Sequence, residues 1–331
     1  MADHIIDHKA DGYSIICGSQ RIYAYLLTAA RDYPQIMRLE TIGLSHEGRP
    51  VVMVVIGNQT HGSSKSGIWI DGAMHGREWV SPSVSLYIID TLLRNYSKDL
   101  VTNKYVDKLN WFILPVMNPD GYEYSRAEDD GGFKTHFDWR KNRRPPACSK
   151  KGECCYGVDL NRNFGYRWGG THSTNDSCHE EYRGPEPFSE PESRAVRDYV
   201  LRNANTLRAF ITLHSFGQLW LYPFGYDSYS YPDNKDDLDR IAYKAIDALK
   251  TVHGTQYKAG SAADIYYPSS GTSGDWAKGV AKIPYVYAIE LRPARYTVAG
   301  FIGSSNKIDQ TAEETWAGIK VVINEILAKW G

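Results

Sequence analysis

The sequence predicts an α/β fold: a single domain whose mixed, mainly parallel central sheet carries helices on both faces. Three observations lead there. Strand-like and helix-like segments alternate along the chain, the order that builds parallel sheets through helical crossovers. The strand segments at 51–56 and 111–117 are apolar throughout rather than alternating, so both of their faces are expected to be buried. Finally, His75, His214 and Glu290 each fall at or just after the C-terminal end of a predicted strand, where sites form in such sheets. With 331 residues, no visible internal repeat and no linker, the chain 1–331 is read as one domain.

Residues 1–17 read as an irregular lead-in. Helical spacing of Ile22, Tyr23, Leu26 and Leu27 predicts a helix over 19–30, with Pro34 just beyond it. Strands are expected at 37–42 and 51–56, joined by the polar turn 45–50, and again at 68–71. Ser81-Pro82 has the form of a helix start, a capping hydroxyl followed by proline at the first helical position. The helix 83–96 that follows places Val84, Tyr87, Ile88 and Leu92 on one face. The strand 111–117 runs into Asn118-Pro119-Asp120-Gly121, a strong turn signal. Residues 121–190 show little periodicity, and loops of that length are usually functional or pinned by cross-links. Beyond them come a helix from 190 to 203 and a strand at 207–213 ending on His214. A helix at 236–253 stops at Gly254, a strand at 284–290 ends on Glu290, and a last helix spans 311–330.

Composition limits the function classes. The formal net charge of −1 argues against nucleic acid or an anionic membrane surface as partner, although the basic run 140–144 is a candidate local patch. No apolar run approaches the roughly 20 residues that a membrane span needs. The 24 Tyr and 9 Trp suit a peptide- or sugar-binding cleft and equally a large plain core.

Four of the five cysteines, Cys148, Cys154, Cys155 and Cys178, crowd into the irregular stretch. Zinc-finger spacing is absent, so disulfides across a long loop are expected, with Cys17 left over. Sequons at Asn58, Asn95 and Asn175 also point to an oxidising, secretory route. The N-terminus has no apolar signal core, so a signal is expected to be missing from this sequence; a cytosolic protein with reduced thiols is the competing reading.

The stretch 68–79 organises the rest. An apolar strand enters a small-residue turn, and His75 and Glu78 follow three positions apart. At that spacing an imidazole nitrogen and a carboxylate oxygen can point at one metal ion. Alone the pair is weak, since His-x-x-Glu occurs by chance.

Taken in order, His75-Gly76-Arg77-Glu78-Trp79, Asn118-Pro119-Asp120-Gly121-Tyr122, Trp139-Arg140-Lys141, Gly157-Val158-Asp159-Leu160-Asn161-Arg162-Asn163, Leu213-His214-Ser215, Tyr267-Pro268 and Glu290-Leu291-Arg292 run through nearly the whole chain. Together these segments resemble the zinc metallocarboxypeptidases of the pancreatic A/B type, the M14 family. The start near residues 14–25 resembles that of the mature enzymes, so the family's inhibitory pro-segment is expected to be absent.

The resemblance implies one Zn2+ per chain, held by His75, Glu78 and His214, with water in the fourth position. Three N/O ligands and one open place is the catalytic arrangement of zinc. Asp159 matches the carboxylate that holds the first histidine's other nitrogen; from sequence alone it could equally cap a turn. Glu290 matches the catalytic base that receives a proton from zinc-activated water. From spacing alone, a salt bridge between Glu290 and Arg292 would be the preferred reading. Arg140 matches the oxyanion stabiliser, Asn161 and Arg162 the pair that grips the substrate's C-terminal carboxylate. Arg77 matches a contact to the next substrate carbonyls, Tyr267 the mobile tyrosine, and Ser215 a further substrate-side residue. Cys155 and Cys178 match the family's disulfide, which leaves Cys148 and Cys154 to pair locally.

Two departures stand out: Phe216 where the family usually has Tyr, and Pro293 where an acidic residue is common. The specificity floor in this family tracks Gly274, with Gly225, Ala262 and Ala288 on the walls. All are small, which predicts a roomy, uncharged pocket for large apolar or aromatic C-terminal residues. Asp275 or Asp264, turned inward, would give a Lys/Arg preference instead. The expected enzyme is a secreted monomer acting on peptide or protein C-termini, with a pro-segment or protein inhibitor as further partner. The rivals are a zinc amidohydrolase of N-acyl amino acids and a non-catalytic peptide-binding relative.

Overall fold

A computed structural model describes residues 18–58, 65–128, 136–148, 152–295 and 305–331. Among them an eight-stranded sheet runs in the order β1-β2-β4-β3-β7-β10-β8-β9. Its strands are β1 (Met37–Leu44), β2 (Pro50–Ile56), β3 (Ser66–Asp71), β4 (Leu109–Leu114), β7 (Leu207–Ser215), β8 (Leu219–Tyr222), β9 (Lys258–Ser261) and β10 (Tyr285–Leu291). The centre, β4-β3-β7-β10, is parallel, and β8 pairs β9 in parallel; β1-β2, β2-β4 and β10-β8 are antiparallel. A separate two-stranded ribbon joins β5 (Ala147–Cys148) to β6 (Cys154–Cys155).

The apolar strands bury both faces, as their pattern predicts. In β3, Ile68 and Ile70 point into one core and Trp69 into the other, because side chains alternate along a strand. The Ile68 side packs against α1 (Ser19–Asp32), α2 (Val80–Asn95), α3 (Leu100–Lys108), α6 (Lys235–His253) and α9 (Ser305–Trp330). The Trp69 side packs against α5 (Pro191–Asn203) and α8 (Ser273–Gly279), with Trp69 stacked on Phe210 at 5.6 Å.

Several expectations change. Ser81 does not cap α2, which starts at Val80; it lies inside the first turn, where its Oγ accepts from Ala73 N at 2.8 Å and donates to Glu78 O at 2.9 Å. The local hydroxyl-proline pattern is used instead to tie the helix back to the metal-candidate turn. The signal at 118–121 is not a free turn but the start of α4 (Pro119–Arg126), where Asn118 caps the helix by accepting from Gly121 N. Helix α3 and strands β8 and β9 escape the sequence reading, as do α7 (Ala262–Ile265) and α8. They are short, with too few turns or alternations to show a period. Arg292 does not pair with Glu290. It lies just past the end of β10, where strand alternation lapses, and its Nε donates to Glu314 at 2.7 Å.

The irregular stretch is held from within. Cys148–Cys154 and Cys155–Cys178 are both bonded, while Cys17 lies outside the described residues. The basic run is consumed inward: Lys141 Nζ donates to Ser177 O, Arg144 pairs with Glu190, and Arg143 pairs with Glu47 and stacks 3.7 Å over Tyr124. That pairing replaces the external basic patch.

Candidate active site

Three side chains meet at the C-terminal edge of the central strands. His75 and Glu78 sit in the turn after β3, and His214 sits near the end of the neighbouring β7. The turn is tight: a Cβ on Gly76 would lie 2.3 Å from Gly121 O, so only glycine fits there. Nδ1 of His75 is 2.6 Å from one Glu78 oxygen, and Nδ1 of His214 is 3.0 Å from the other. All three residues are at most 3% exposed, and their ligand atoms lie within 4.8 Å of one another.

The outer nitrogens are anchored. His75 Nε2 faces Asp159 Oδ1 at 3.2 Å, a carboxylate that can only accept, so Nε2 donates to it and Nδ1 is the nitrogen that would be turned to a metal ion. His214 Nε2 reaches Thr212 Oγ1 at 3.0 Å, and the Thr212 hydroxyl donates in turn to Asp71 Oδ1 at 2.7 Å. Trp69 Nε1 holds Asp71 from the other side at 2.6 Å. Burial works against charge on His214, yet the Glu78 carboxylate beside it raises the imidazole to about 9. Burial also pushes Glu78 up, but His75 and His214 outweigh it and hold the carboxyl low. The cluster therefore draws positive charge strongly. Two imidazole nitrogens and one carboxylate, with their outer atoms anchored, fit a catalytic zinc ion.

The cluster opens into a cavity of about 600 Å³, and the other substrate-side candidates from the sequence line it. Arg140 is anchored by Nε and Nη2 on Asp159, both at 2.9 Å, leaving Nη1 beside His75 Nδ1 at 3.3 Å. Asp159 also caps the short turn Leu160–Arg162 by accepting from Asn161 N at 2.9 Å, so it makes the contacts of both readings weighed for it. Arg162 is 1% exposed; its Nε donates to His172 O, and its Nη2 reaches Glu181 at 2.6 Å and Tyr267 OH at 3.4 Å. Asn161 Oδ1 accepts from Ser273 N. Arg77 Nη1 donates to Glu180 and to Asp138 O. Glu290 faces the cavity from β10, opposite His214 in the strand register. Burial raises its carboxyl to about 7, with His214 pulling the other way.

Ser215, Gly225, Ala262, Gly274 and Ala288 line the same cavity. A Cβ on Gly274 would touch only Val286, at 3.7 Å, so the floor is open. Asp275 also lines the cavity, with its two oxygens accepting from Gly225 N at 2.7 Å and Tyr226 N at 2.9 Å. Burial pushes it up to about 7. Asp264 instead bonds Tyr231 OH and Tyr229 N and is not among the lining residues.

Asp71, Thr212, Glu181 and Tyr266 are the site residues that sequence reasoning missed. A signal existed for two of them: Thr212 precedes His214 by two on a strand, hence on the same face, and Asp71 ends the strand before the His75 turn. Glu181 and Tyr266 come from irregular backbone and carried none.

Fold and cavity together define a zinc-dependent hydrolase. The chain belongs to the zinc carboxypeptidase family of M14 peptidases, whose model matches residues 22–318. Carboxypeptidase B of Astacus astacus is 40% identical over 307 residues, 92% of this chain and 94% of that protein. Carboxypeptidase A2 of Rattus norvegicus is 35% identical over 307 residues, 93% of this chain and 69% of that protein. Among solved structures, carboxypeptidase A from Helicoverpa armigera superposes with a TM-score of 0.85 at 32% identity, covering 96% of this chain and 75% of that one. Bovine thrombin-activatable fibrinolysis inhibitor, in complex with tick carboxypeptidase inhibitor, superposes with a TM-score of 0.84 at 30% identity, covering 96% and 99%. The protein is a metallocarboxypeptidase.

Proposed function

We propose that this chain is a secreted exopeptidase that removes C-terminal residues from peptides and proteins. One observation carries the reading: the metal-ligand cluster and the buried Arg162 share a single cavity. A planar guanidinium suits a carboxylate through two parallel hydrogen bonds, and a free carboxylate is what distinguishes a chain end. Two disulfides support an oxidising destination. Among the described residues, no helix is long and apolar enough to cross a membrane.

His75, Glu78 and His214 would hold zinc, which supplies a Lewis acid for the scissile carbonyl and an acidified water. Asn161 and Arg162 receive the terminal carboxylate, which competes with Glu181 for the Arg162 guanidinium. Glu290 takes the proton from the attacking water and returns it to the leaving amine. Burial pushes this carboxyl up from its ordinary value, the direction that suits a group that both takes and returns a proton. Arg140, clamped by Asp159, presents its free amino edge where negative charge develops. Arg77 contacts the next substrate carbonyls, and Tyr267 covers the bound residue.

For the side-chain pocket, the small walls and open floor favour a large apolar or aromatic residue. Asp275 in the lining favours a second reading, a Lys or Arg preference. The first stands ahead because both Asp275 oxygens are committed to backbone N–H groups and burial favours the neutral acid. A basic side chain against a neutral acid would leave a buried charge unpaired, costing several kcal/mol. Blocked dipeptides ending in Phe, Leu, Lys, Arg and Glu, assayed with and without chelator, test both levels. Release of the last residue that survives chelation refutes the zinc mechanism, and a Lys or Arg preference at pH 6–7 refutes the pocket argument.

A further inference from the structure

A second group of ligand-type side chains converges away from the catalytic cavity: His46, Glu190 and Glu192. His46 stands in the turn between β1 and β2. Glu190 is the residue before α5, and Glu192 lies in its first turn. His46 Nε2 is 2.8 Å from Glu190 Oε2, and one ligand atom from each residue falls within 4.8 Å of the other two. The catalytic trio meets the same geometric condition, with two imidazole-to-carboxylate contacts where this group has one.

Charge points to a cation. Glu190 and Glu192 are both 0% exposed. Asn142 Nδ2 donates to both carboxylates, at 2.8 and 3.0 Å, and Glu190 also accepts from Ser189 Oγ and pairs with Arg144. Glu192 also accepts from the His46 backbone N–H at 3.4 Å and from its own backbone N–H, and among the described residues no Lys or Arg forms an ion pair with it. The two buried carboxylates thus share the Arg144 guanidinium and the His46 imidazole, both of which contact Glu190, and Glu192 has neither as an ion-pair partner, a costly arrangement in a dry site. The half-buried His46, with 20% of its side chain exposed, gives an ion a way in. One imidazole nitrogen and two carboxylate oxygens suit zinc or a similar borderline ion, whereas calcium and magnesium favour oxygen alone.

We propose that His46, Glu190 and Glu192 form a second, structural divalent-metal site, of zinc type and independent of the catalytic one. An ion there would clamp the β1–β2 turn to the start of α5. Through Asn142 it would also steady the segment that carries Arg140 two residues earlier.

The test is zinc stoichiometry of the holoenzyme after equilibrium dialysis against free zinc. The wild type is expected to hold about two ions per chain, and His46→Gln and Glu192→Gln about one each. His75→Ala, which disables the catalytic site, is expected to keep about one and to gain thermal stability on zinc addition. Combining His75→Ala with His46→Gln is expected to abolish that gain. Retained peptidase activity in His46→Gln shows that the variant is folded and separates this inference from the catalytic reading. A wild type with one ion, or a His46→Gln variant with as many ions as wild type, overturns the proposal, the latter leaving adventitious zinc only.

Discussion

Replacing Asp159 by Asn should damage metal binding, catalysis and stability together, because one buried carboxylate serves all three. Four donors converge on its two oxygens: His75 Nε2 and Asn161 N on Oδ1, Arg140 Nε and Nη2 on Oδ2. Asn offers one acceptor oxygen and two N–H donors, so one donor pair must face N–H groups. If Arg140 loses its partner, a largely buried guanidinium is stranded, and breaking a buried pair costs about 3–5 kcal/mol. If His75 loses its acceptor, its tautomer is no longer fixed, and zinc affinity should fall about 10–100-fold. At saturating zinc, kcat/KM should still be down about 100-fold or more, because Arg140 is no longer aimed. Urea unfolding of the metal-free protein, competition for zinc with a chelator, and kcat/KM on a blocked dipeptide separate the three effects. Wild-type zinc affinity together with wild-type kcat/KM in Asp159→Asn would refute the argument that this carboxylate organises both groups.

Further outcomes follow from the same geometry. Glu290→Gln should lower kcat about 100–10,000-fold with little change in KM, since it removes proton transfer and leaves the carboxylate clamp intact; steady-state kinetics decide. Arg162→Lys should raise KM steeply and kcat less, because a point charge replaces a fork, and substrates with an amidated C-terminus should lose the difference between variant and wild type. Burial pushes the Asp275 carboxyl up to about 7, so its ionised fraction should grow as pH rises through neutrality. The ratio of kcat/KM for C-terminal Arg over Phe should therefore rise between pH 6 and 8, and Asp275→Asn should flatten it. Glycan mapping after secretory expression should find occupancy at the exposed Asn95 and Asn175 but not at Asn58, whose Nδ2 already donates to Asp107 at 3.0 Å.

Much of the fold is legible where periodicity is long. Helix α6 is the clearest case: its apolar face, its acidic first turn and Gly254 at φ 74° all follow from sequence rules. Short elements are not legible in that way. Strands β8 and β9 exist because β10 and its neighbours offer them edges to pair with, and four residues carry no period of their own. The site divides similarly. His75, His214 and Glu290 stand out because each falls at the C-terminal end of a strand, where functional groups collect in α/β sheets, and Glu78 by its spacing from His75; their roles come from the family resemblance. Arg292 was the natural partner for Glu290 on spacing and is instead turned to Glu314, since alternation holds only while the strand continues.

The sequence by itself determined the residue chemistry, the long elements and the crowding of four cysteines, because these depend on neighbours a few positions apart. The structure decided which far-apart groups share a hydrogen bond or a charge: Asp159 between His75 and Arg140, Asp71 behind His214 through Thr212, and Asn142 between two buried glutamates. It also decided that the pocket floor is open and that Asp275 rather than Asp264 lines it. Such contacts are set by how the strands order in the sheet and how the segments 136–148 and 152–190 fold back over their ends, and no local pattern in the chain encodes that order.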